Sequence, residues 1–110
     1  MNYKFRKKPV VIEAFQMTKA RRLSNADWPD WLHEAWNKKE TEPGALMPVE
    51  TVETLPTDPG GYFTPGNRVK VFTLEGEMIV DFDDYIIQGV NGELYPCKLD
   101  IFKATYDPVP

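Results

Sequence analysis

The sequence predicts an α+β fold in which a strongly bent antiparallel sheet of about five strands packs against one amphipathic, tryptophan-rich helix. Three observations lead to this prediction. Residues 24–40, SNADWPDWLHEAWNKKE, carry apolar side chains at helical spacing. The C-terminal half alternates apolar and polar residues around two glycine-containing turns. Proline and glycine concentrate in residues 40–67, which predicts a long loop there.

The first predicted strand covers residues 5–16, FRKKPVVIEAFQ. Its side chains alternate, so that Val11 and Phe15 share one face and Ile12 lies on the other. Pro9 cannot donate a hydrogen bond to a neighbouring strand. We therefore expect it at the start of the strand or at an edge position.

The predicted helix follows, with Asn25 or Asp27 as its N-cap. One apolar stripe runs along it at positions i, i+3, i+4, i+7 and i+8, formed by Trp28, Trp31, Leu32, Ala35 and Trp36. Such a stripe either packs on a sheet or, with three tryptophans, forms a stacking platform for bases; packing is the favoured interpretation. His33 falls off the stripe and is expected in solvent.

The loop predicted for residues 40–67 holds five prolines and four glycines, with one short strand around Met47–Val52. A connection of this length is uncommon in a compact domain unless it is functional or mobile. It is a candidate lid or partner-contact loop. A tolerated surface insertion is the alternative.

Two hairpins are predicted in the C-terminal half. In residues 68–82, RVKVFTLEGEMIVDF, the turn is expected at Glu75-Gly76. This pairing sets Leu74 opposite Glu77 and makes Lys70 and Asp81 a cross-strand ion pair.

The second hairpin is expected to turn at Asn91-Gly92 in a type I′ conformation, with Val90 opposite Glu93. This register places Ile86, Gln88, Tyr95 and Cys97 on one face and Tyr85, Ile87, Leu94, Pro96 and Lys98 on the other. A single helical turn should follow, capped by Asp100, with Ile101 and Phe102 directed inward.

The length and composition of the chain predict a single domain over residues 1–110, large enough to bury its own core. The net charge of −4 disfavours a general nucleic-acid coat. Residues 1–22 nevertheless hold seven of the thirteen basic residues and a net +6. That segment either binds an anion or forms a protected basic edge.

No apolar run reaches the roughly 18 residues needed to cross a bilayer, and no signal peptide is recognised. A single cysteine excludes an internal disulfide and is typical of a reducing cytoplasm. The expected location is therefore the cytoplasm, with no membrane partner.

Catalytic and metal-binding patterns are weak. Cys97 could act as a nucleophile with His33 as its base, but a cysteine that follows a proline in a strand is more often a core residue. One cysteine and one histidine do not make a classical zinc site. The acidic run at Asp81, Asp83 and Asp84 lacks the glycine and distal glutamate of an EF-hand. We therefore expect no catalytic residue, metal or cofactor.

A binding surface is the remaining prediction. Aromatic rings that stack on a ligand and cations that neutralise a phosphate could together form a pocket. The candidate ligand-binding residues are Arg6, Lys8, Tyr85, Tyr95, Lys98 and Tyr106.

The two ends of the chain, YKFRKKPVVIEAFQ and DDYIIQGVNGELYPCKLDIFKATYDPV, resemble a family of small uncharacterised proteins of bacteriophages and prophages. Members of that family open with a strand of the RKKPVVIEA kind. They close with a hairpin leading to YPCKPDIF and TYE. This sequence departs from the pattern at Phe82-Asp83, where the family often has proline-glycine, and at Leu99, where it often has proline.

The resemblance implies a phage accessory protein expressed in the host cytoplasm, with no established enzymatic activity. The leading hypothesis is a non-catalytic counter-defence protein that binds or sequesters a small anionic ligand such as a nucleotide or cyclic nucleotide signal. Assembly as a homo-oligomer is compatible with this hypothesis. The alternative is a protein–protein inhibitor of a host enzyme that presents residues 40–67.

Overall fold

The computed structural model of the chain describes residues 3–5, 9–49 and 68–109. The described elements follow in the order β1 (Glu13–Gln16), α1 (Lys19–Leu23), α2 (Asp30–Trp36), β2 (Leu46–Pro48), β3 (Val69–Thr73), β4 (Gly76–Val80), β5 (Tyr85–Gln88), β6 (Leu94–Cys97) and α3 (Leu99–Thr105). The α+β class is confirmed.

The single five-stranded sheet is wrong in detail, because the strands form two three-stranded antiparallel sheets. The first has the order β1-β5-β6 and the second β2-β3-β4. A tight turn from Asp81 to Asp84 carries the chain from one sheet to the other, closed by the Asp84 N–H donating to the Asp81 carbonyl (3.1 Å). Backbone bonds from Asp83 to Met17 and from Met17 to Asp84 tie this turn to the end of β1.

Both sheets and α2 contribute to one hydrophobic core. Its buried members are Phe15, Met17, Trp28, Leu32, Ala35, Leu46, Val69, Val71, Val80, Ile86 and Leu94. Trp31 and Trp36 pack against this cluster at its margin. The tryptophan stripe is therefore a packing surface, as the favoured interpretation predicted.

Two boundaries at the N-terminal side differ from prediction. β1 begins at Glu13, and Val11 before it is exposed, so the expected strand over residues 5–16 is shorter. Helix α1 was not predicted. It is capped by Thr18, whose hydroxyl accepts a hydrogen bond from the Arg21 N–H (3.2 Å).

Helix α2 starts later than expected. Pro29 is its N-cap residue, so neither Asn25 nor Asp27 caps it. His33 is half-buried, and its ring centroid lies 5.8 Å from that of Trp28. The expectation that His33 stands in solvent is therefore wrong, because the tryptophan that precedes the helix folds back against it.

The first part of the predicted loop belongs to the core. β2 pairs with β3, and Ala45, Leu46 and Val49 are buried. The short strand expected around Met47–Val52 thus begins one residue earlier, at Leu46. Residues 50–67, the rest of that loop, lie outside the described residues.

The first hairpin turns at Leu74-Glu75, with Thr73 paired to Gly76. The register differs by two positions from the predicted one, so the same side chains share each face, but the cross-strand partners change. Lys70 lies opposite Ile79, and its ammonium contacts Glu77 (3.3 Å) rather than Asp81. The predicted Lys70–Asp81 ion pair is therefore wrong.

The second hairpin is slipped by one position relative to prediction. Gln88 pairs with Leu94, and the Gly89 N–H donates to the Glu93 carbonyl (2.8 Å). Only Gly92 in this turn has positive φ (82°), so the loop is a three-residue turn with a glycine bulge and not type I′. Asn-Gly is compatible with both turns.

Core packing explains which register occurs. The slip places Leu94 on the same face as Ile86 and Phe15, and all three are buried. Burial of an apolar face is what normally decides strand register. The opposite face then collects Tyr85, Ile87, Tyr95 and Cys97.

Helix α3 contacts that opposite face through Phe102, whose ring stacks on Tyr85. It spans seven residues instead of one turn, and its N-cap is Lys98, with Asp100 inside the first turn. Phe102 is half-buried as expected, but Ile101 is exposed. Because β6 leads directly into α3, the helix folds back over the sheet it has just left.

Candidate functional site

The outer face of the first sheet, opposite the core, brings together three of the six residues predicted to bind a ligand, Tyr85, Tyr95 and Tyr106. Tyr85 and Ile87 on β5 alternate with Tyr95 and Cys97 on β6. The one-residue slip creates this arrangement, since the predicted register put Tyr85 and Tyr95 on opposite faces. Helix α3 supplies Phe102, and Tyr106 follows it.

An aromatic stack fixes α3 to this face. The rings of Tyr85 and Phe102 are nearly parallel, with 7° between their planes and 3.8 Å between centroids. Tyr106 follows, its ring 5.0 Å from that of Phe102. One face of the Tyr85 ring is therefore occupied by the chain itself and is not available to a ligand.

Tyr95 and Tyr106 form the accessible part of the site. Burial of the Tyr95 phenol, followed by its interaction with the Tyr106 hydroxyl, raises the pKa of Tyr95 to about 12. Both side chains line one cleft of about 420 Å³. The other residues of this tyrosine cleft are Pro9, Val10, Ile12, Gly89, Val90, Glu93 and Thr105.

Lys98 contacts carboxylates at the turn between the sheets. Its ammonium lies 2.8 Å from Asp81 and 3.3 Å from Asp84, and Arg68 holds the other Asp81 oxygen at 3.2 Å. The hydrogen bond to Asp81 is the main cause of a raised Lys98 pKa, since it favours the charged amine. Lys98 does not line the tyrosine cleft.

Asp84 is the buried member of this charge cluster. Its carboxylate accepts the Asp81 N–H (3.0 Å) as well as Lys98. Burial raises the pKa of Asp84, and this effect outweighs the hydrogen bonds that lower it. The acidic run is thus not a solvated strand end, because Asp81 and Asp84 are ion-paired and Asp84 is buried.

Cys97 shows no feature of an activated thiol. The thiol lies 3.7 Å from the carbonyl of Lys98. Its pKa is raised, first by burial and then by the nearby carboxylates of Asp84 and Asp100. Within residues 3–5, 9–49 and 68–109, no group of histidine, cysteine, aspartate and glutamate side chains could hold a metal ion.

A second cleft lies between the tips of the two hairpins, and no sequence pattern indicated it. Its volume is about 740 Å³. Phe72, Met78, Leu94 and Pro96 contribute apolar surface, and Tyr95 borders both clefts. This hairpin cleft depends on two registers that sequence alone did not give.

The six predicted ligand-binding residues are thus only partly gathered. Tyr95 and Tyr106 share a cleft, Tyr85 lies behind Phe102, and Lys98 faces the acidic turn. Arg6 and Lys8 lie outside the described residues. Sequence reasoning missed the role of Phe102, although its spacing of four from Tyr106 in a helical segment is the relevant signal.

A comparison of the chain with protein-family models, with curated proteins and with solved structures finds no match. The resemblance of the two chain ends to phage and prophage proteins therefore stays a prediction. In the part of the chain that is described, no helix is both long and apolar enough to span a bilayer.

Proposed function

We propose that the protein is a non-catalytic binding protein whose site is the tyrosine cleft, and that its ligand is small, with a planar ring and an anionic group, such as a nucleotide or cyclic nucleotide signal. One observation carries the proposal. Tyr95 and Tyr106, both assigned from the sequence to a ring-binding pocket, line the same cleft.

The shape and lining of the cleft support a small organic ligand. Its volume of about 420 Å³ lies within the range of roughly 300–1,000 Å³ that small-molecule sites occupy. Apolar contacts come from Val10, Ile12 and Val90, and polar contacts from the two phenols. This combination of apolar walls with a few converging polar groups is typical of ligand pockets.

The anionic character of the ligand rests on the basic segment that precedes the cleft. Lys8 and Arg6 come one and three residues before Pro9, a lining residue. Glu93 is the single charged side chain among the described lining residues, so these cations have to supply the attraction for a phosphate.

The chemistry of Cys97 supports binding in place of catalysis. A nucleophilic cysteine needs a lowered pKa, and here burial and two carboxylates raise it. Ligand sequestration would fit the phage accessory role that the resemblance of the chain ends implies.

A thermal-shift screen against nucleotides and cyclic nucleotides, followed by calorimetry, tests the proposal. We expect at least one of them to raise the melting temperature of the wild-type chain, and Tyr95→Ala to abolish the rise. Tyr85→Phe is the matched control, because it keeps the ring stacked on Phe102 outside the cleft and should bind normally.

The double variant Arg6→Gln/Lys8→Gln tests whether the basic segment attracts an anionic group of the ligand. We expect weaker binding with a smaller dependence on salt. The proposal fails if no nucleotide shifts the melting temperature, or if Tyr95→Ala binds with wild-type affinity.

A further inference from the structure

Strand β4 is an exposed sheet edge. In the described part of the chain it pairs only with β3, and its residues from Gly76 to Ile79 are all exposed. Met78 and Ile79 are 38% and 41% exposed, and Leu74 at the turn is 91% exposed. Apolar side chains thus flank a row of backbone groups that pair with no second strand among the described residues.

The other edge strands carry features that resist pairing. β2 ends in Pro48 and β6 contains Pro96, and proline removes a backbone donor. β1 exposes Glu13 but no apolar side chain, whereas β4 exposes Met78 and Ile79 as well as Glu77. β4 contains neither proline nor lysine, the residues that most often protect an edge.

A complementary segment exists near the start of the chain. Tyr3 and Phe5 are 79% and 92% exposed and stand on either side of Lys4. This alternation is that of a strand with aromatic side chains on one face. Residues 1–8 carry a net +4, whereas the β3–β4 turn and β4 carry Glu75 and Glu77.

We propose that the β4 edge of one copy of the chain binds the basic aromatic segment around Tyr3–Phe5 of a second copy as an added strand. Tyr3 and Phe5 then lie on the sheet face that carries Glu77 and Ile79, and the positive charge of the segment faces Glu75 and Glu77. When each copy gives its segment to the other, the free backbone groups of both β4 edges are paired. The assembly is then a closed dimer, because no unpaired β4 edge is left to bind a third copy.

Charge argues against direct pairing of β4 with itself. Such a dimer would bring Glu75 and Glu77 of both copies into one short interface, and like charges facing each other destabilise a strand pair. The basic segment removes this repulsion. This inference shares the basic N-terminal segment with the proposed ligand site, so its test is made without any ligand.

Light scattering coupled to gel filtration, over a dilution series and in a Cys97→Ser background, gives the first test. We expect a dimer whose dissociation constant rises roughly tenfold or more when salt is raised, or when residues 1–5 are deleted, or in Ile79→Lys; tenfold corresponds to about 1.4 kcal/mol. Leu23→Lys is the control, since Leu23 is also an exposed apolar residue but lies on α1. It should remain dimeric.

Disulfide cross-linking identifies the contact itself. In the Cys97→Ser background, a mixture of Phe5→Cys and Ile79→Cys chains should form a disulfide between the two variants, whereas Leu23→Cys mixed with Ile79→Cys should not. A wild-type chain that stays monomeric throughout the dilution series overturns the proposal. So does a dimer that survives deletion of residues 1–5, because it must use another surface.

Discussion

The phenol of Tyr85 lies flat against the ring of Phe102, with 3.8 Å between centroids and 7° between planes. This contact joins β5 to α3 on the outer face of the first sheet. It also explains why Tyr85, an apparent ligand-stacking residue in the sequence, already has an internal stacking partner. The accessible aromatic surface is left to Tyr95 and Tyr106.

Truncating Phe102 should loosen α3. Complete removal of a buried phenylalanine costs about 3–5 kcal/mol, and Phe102 is only half-buried, so we expect Phe102→Ala to lower the free energy of unfolding by about 1–2 kcal/mol. Urea denaturation measures the change. Ile101→Ala, at an exposed neighbouring position, should alter it by less than about 0.5 kcal/mol. Equal effects of the two substitutions would contradict the stacked arrangement.

The phenol of Tyr95 should ionise at a higher pH than an ordinary tyrosine. Its pKa of about 12 lies above the usual value near 10, so one phenol should ionise well after the ordinary tyrosine range in an absorbance titration at alkaline pH. Tyr95→Phe should remove that late component, whereas Tyr3→Phe should leave it in place. A wild-type titration without a late component would show that the Tyr95 phenol is not buried against Tyr106.

The raised pKa of Tyr95 also predicts how the free energy of unfolding changes at alkaline pH. The folded-state pKa of Tyr95 is raised, so its contribution is fully present below pH 10 and is lost as pH rises from about 10 to about 12. In Tyr95→Phe, the loss of unfolding free energy over this window should be smaller than in the wild type.

Asp83 occupies a backbone conformation that favours glycine. Its φ is 75°, in the tight turn from Asp81 to Asp84. Asp83→Gly should raise the free energy of unfolding by about 0.5–1 kcal/mol, because glycine adopts this conformation without steric cost. Asp83→Ala removes the same charge but keeps a Cβ, so it should give no gain. Stabilisation by alanine equal to that by glycine would identify charge repulsion, not backbone strain, as the cause.

Lys98 should stabilise the buried carboxylate of Asp84. Breaking a fully buried pair costs about 3–5 kcal/mol, but Lys98 is more than half exposed, so solvent screening reduces the expected cost of Lys98→Ala to about 1 kcal/mol. Adding Asp84→Asn should recover part of that loss, because the amide carries no charge. If the double variant Lys98→Ala/Asp84→Asn is no more stable than Lys98→Ala, the loss does not come from the unpaired charge of Asp84.

Asp84 also sets a pH dependence. Its pKa is raised in the folded state, so its contribution favours folding below the unfolded value and is lost as pH rises through the folded value. Removing Lys98 takes away an interaction that lowers this pKa. The stability lost by Lys98→Ala relative to wild type should therefore shrink as the medium is acidified toward the aspartate range.

Local patterns predicted the elements better than their partners. The α2 stripe was found because helical periodicity is a property of the sequence itself, and its burial is confirmed by Leu32 and Ala35. The two-sheet arrangement was not found, because the turn at Asp83 depends on a left-handed residue that carries no glycine signal. α1 was missed because its five residues are too few to show periodicity.

The candidate site was predicted by residue type but not by geometry. Asn91-Gly92 permits both a two-residue and a three-residue turn, and only the burial of Leu94 beside Ile86 decides between them. That single step moves Tyr95 to the face of Tyr85. The ion pairs of Lys98 depend in turn on where the Asp81–Asp84 turn meets β6, which no local pattern specifies.

The register of β5 and β6 is the claim on which the tyrosine cleft depends. Gly89 and Glu93 form a hydrogen-bonded pair, so Gln88 and Leu94 face each other at a position without ladder bonds, where α-protons approach most closely. A nuclear Overhauser spectrum should show a strong α-proton cross-peak between Gln88 and Leu94. A strong cross-peak between Gly89 and Leu94 in its place would return the hairpin to a type I′ register and separate Tyr85 from Tyr95.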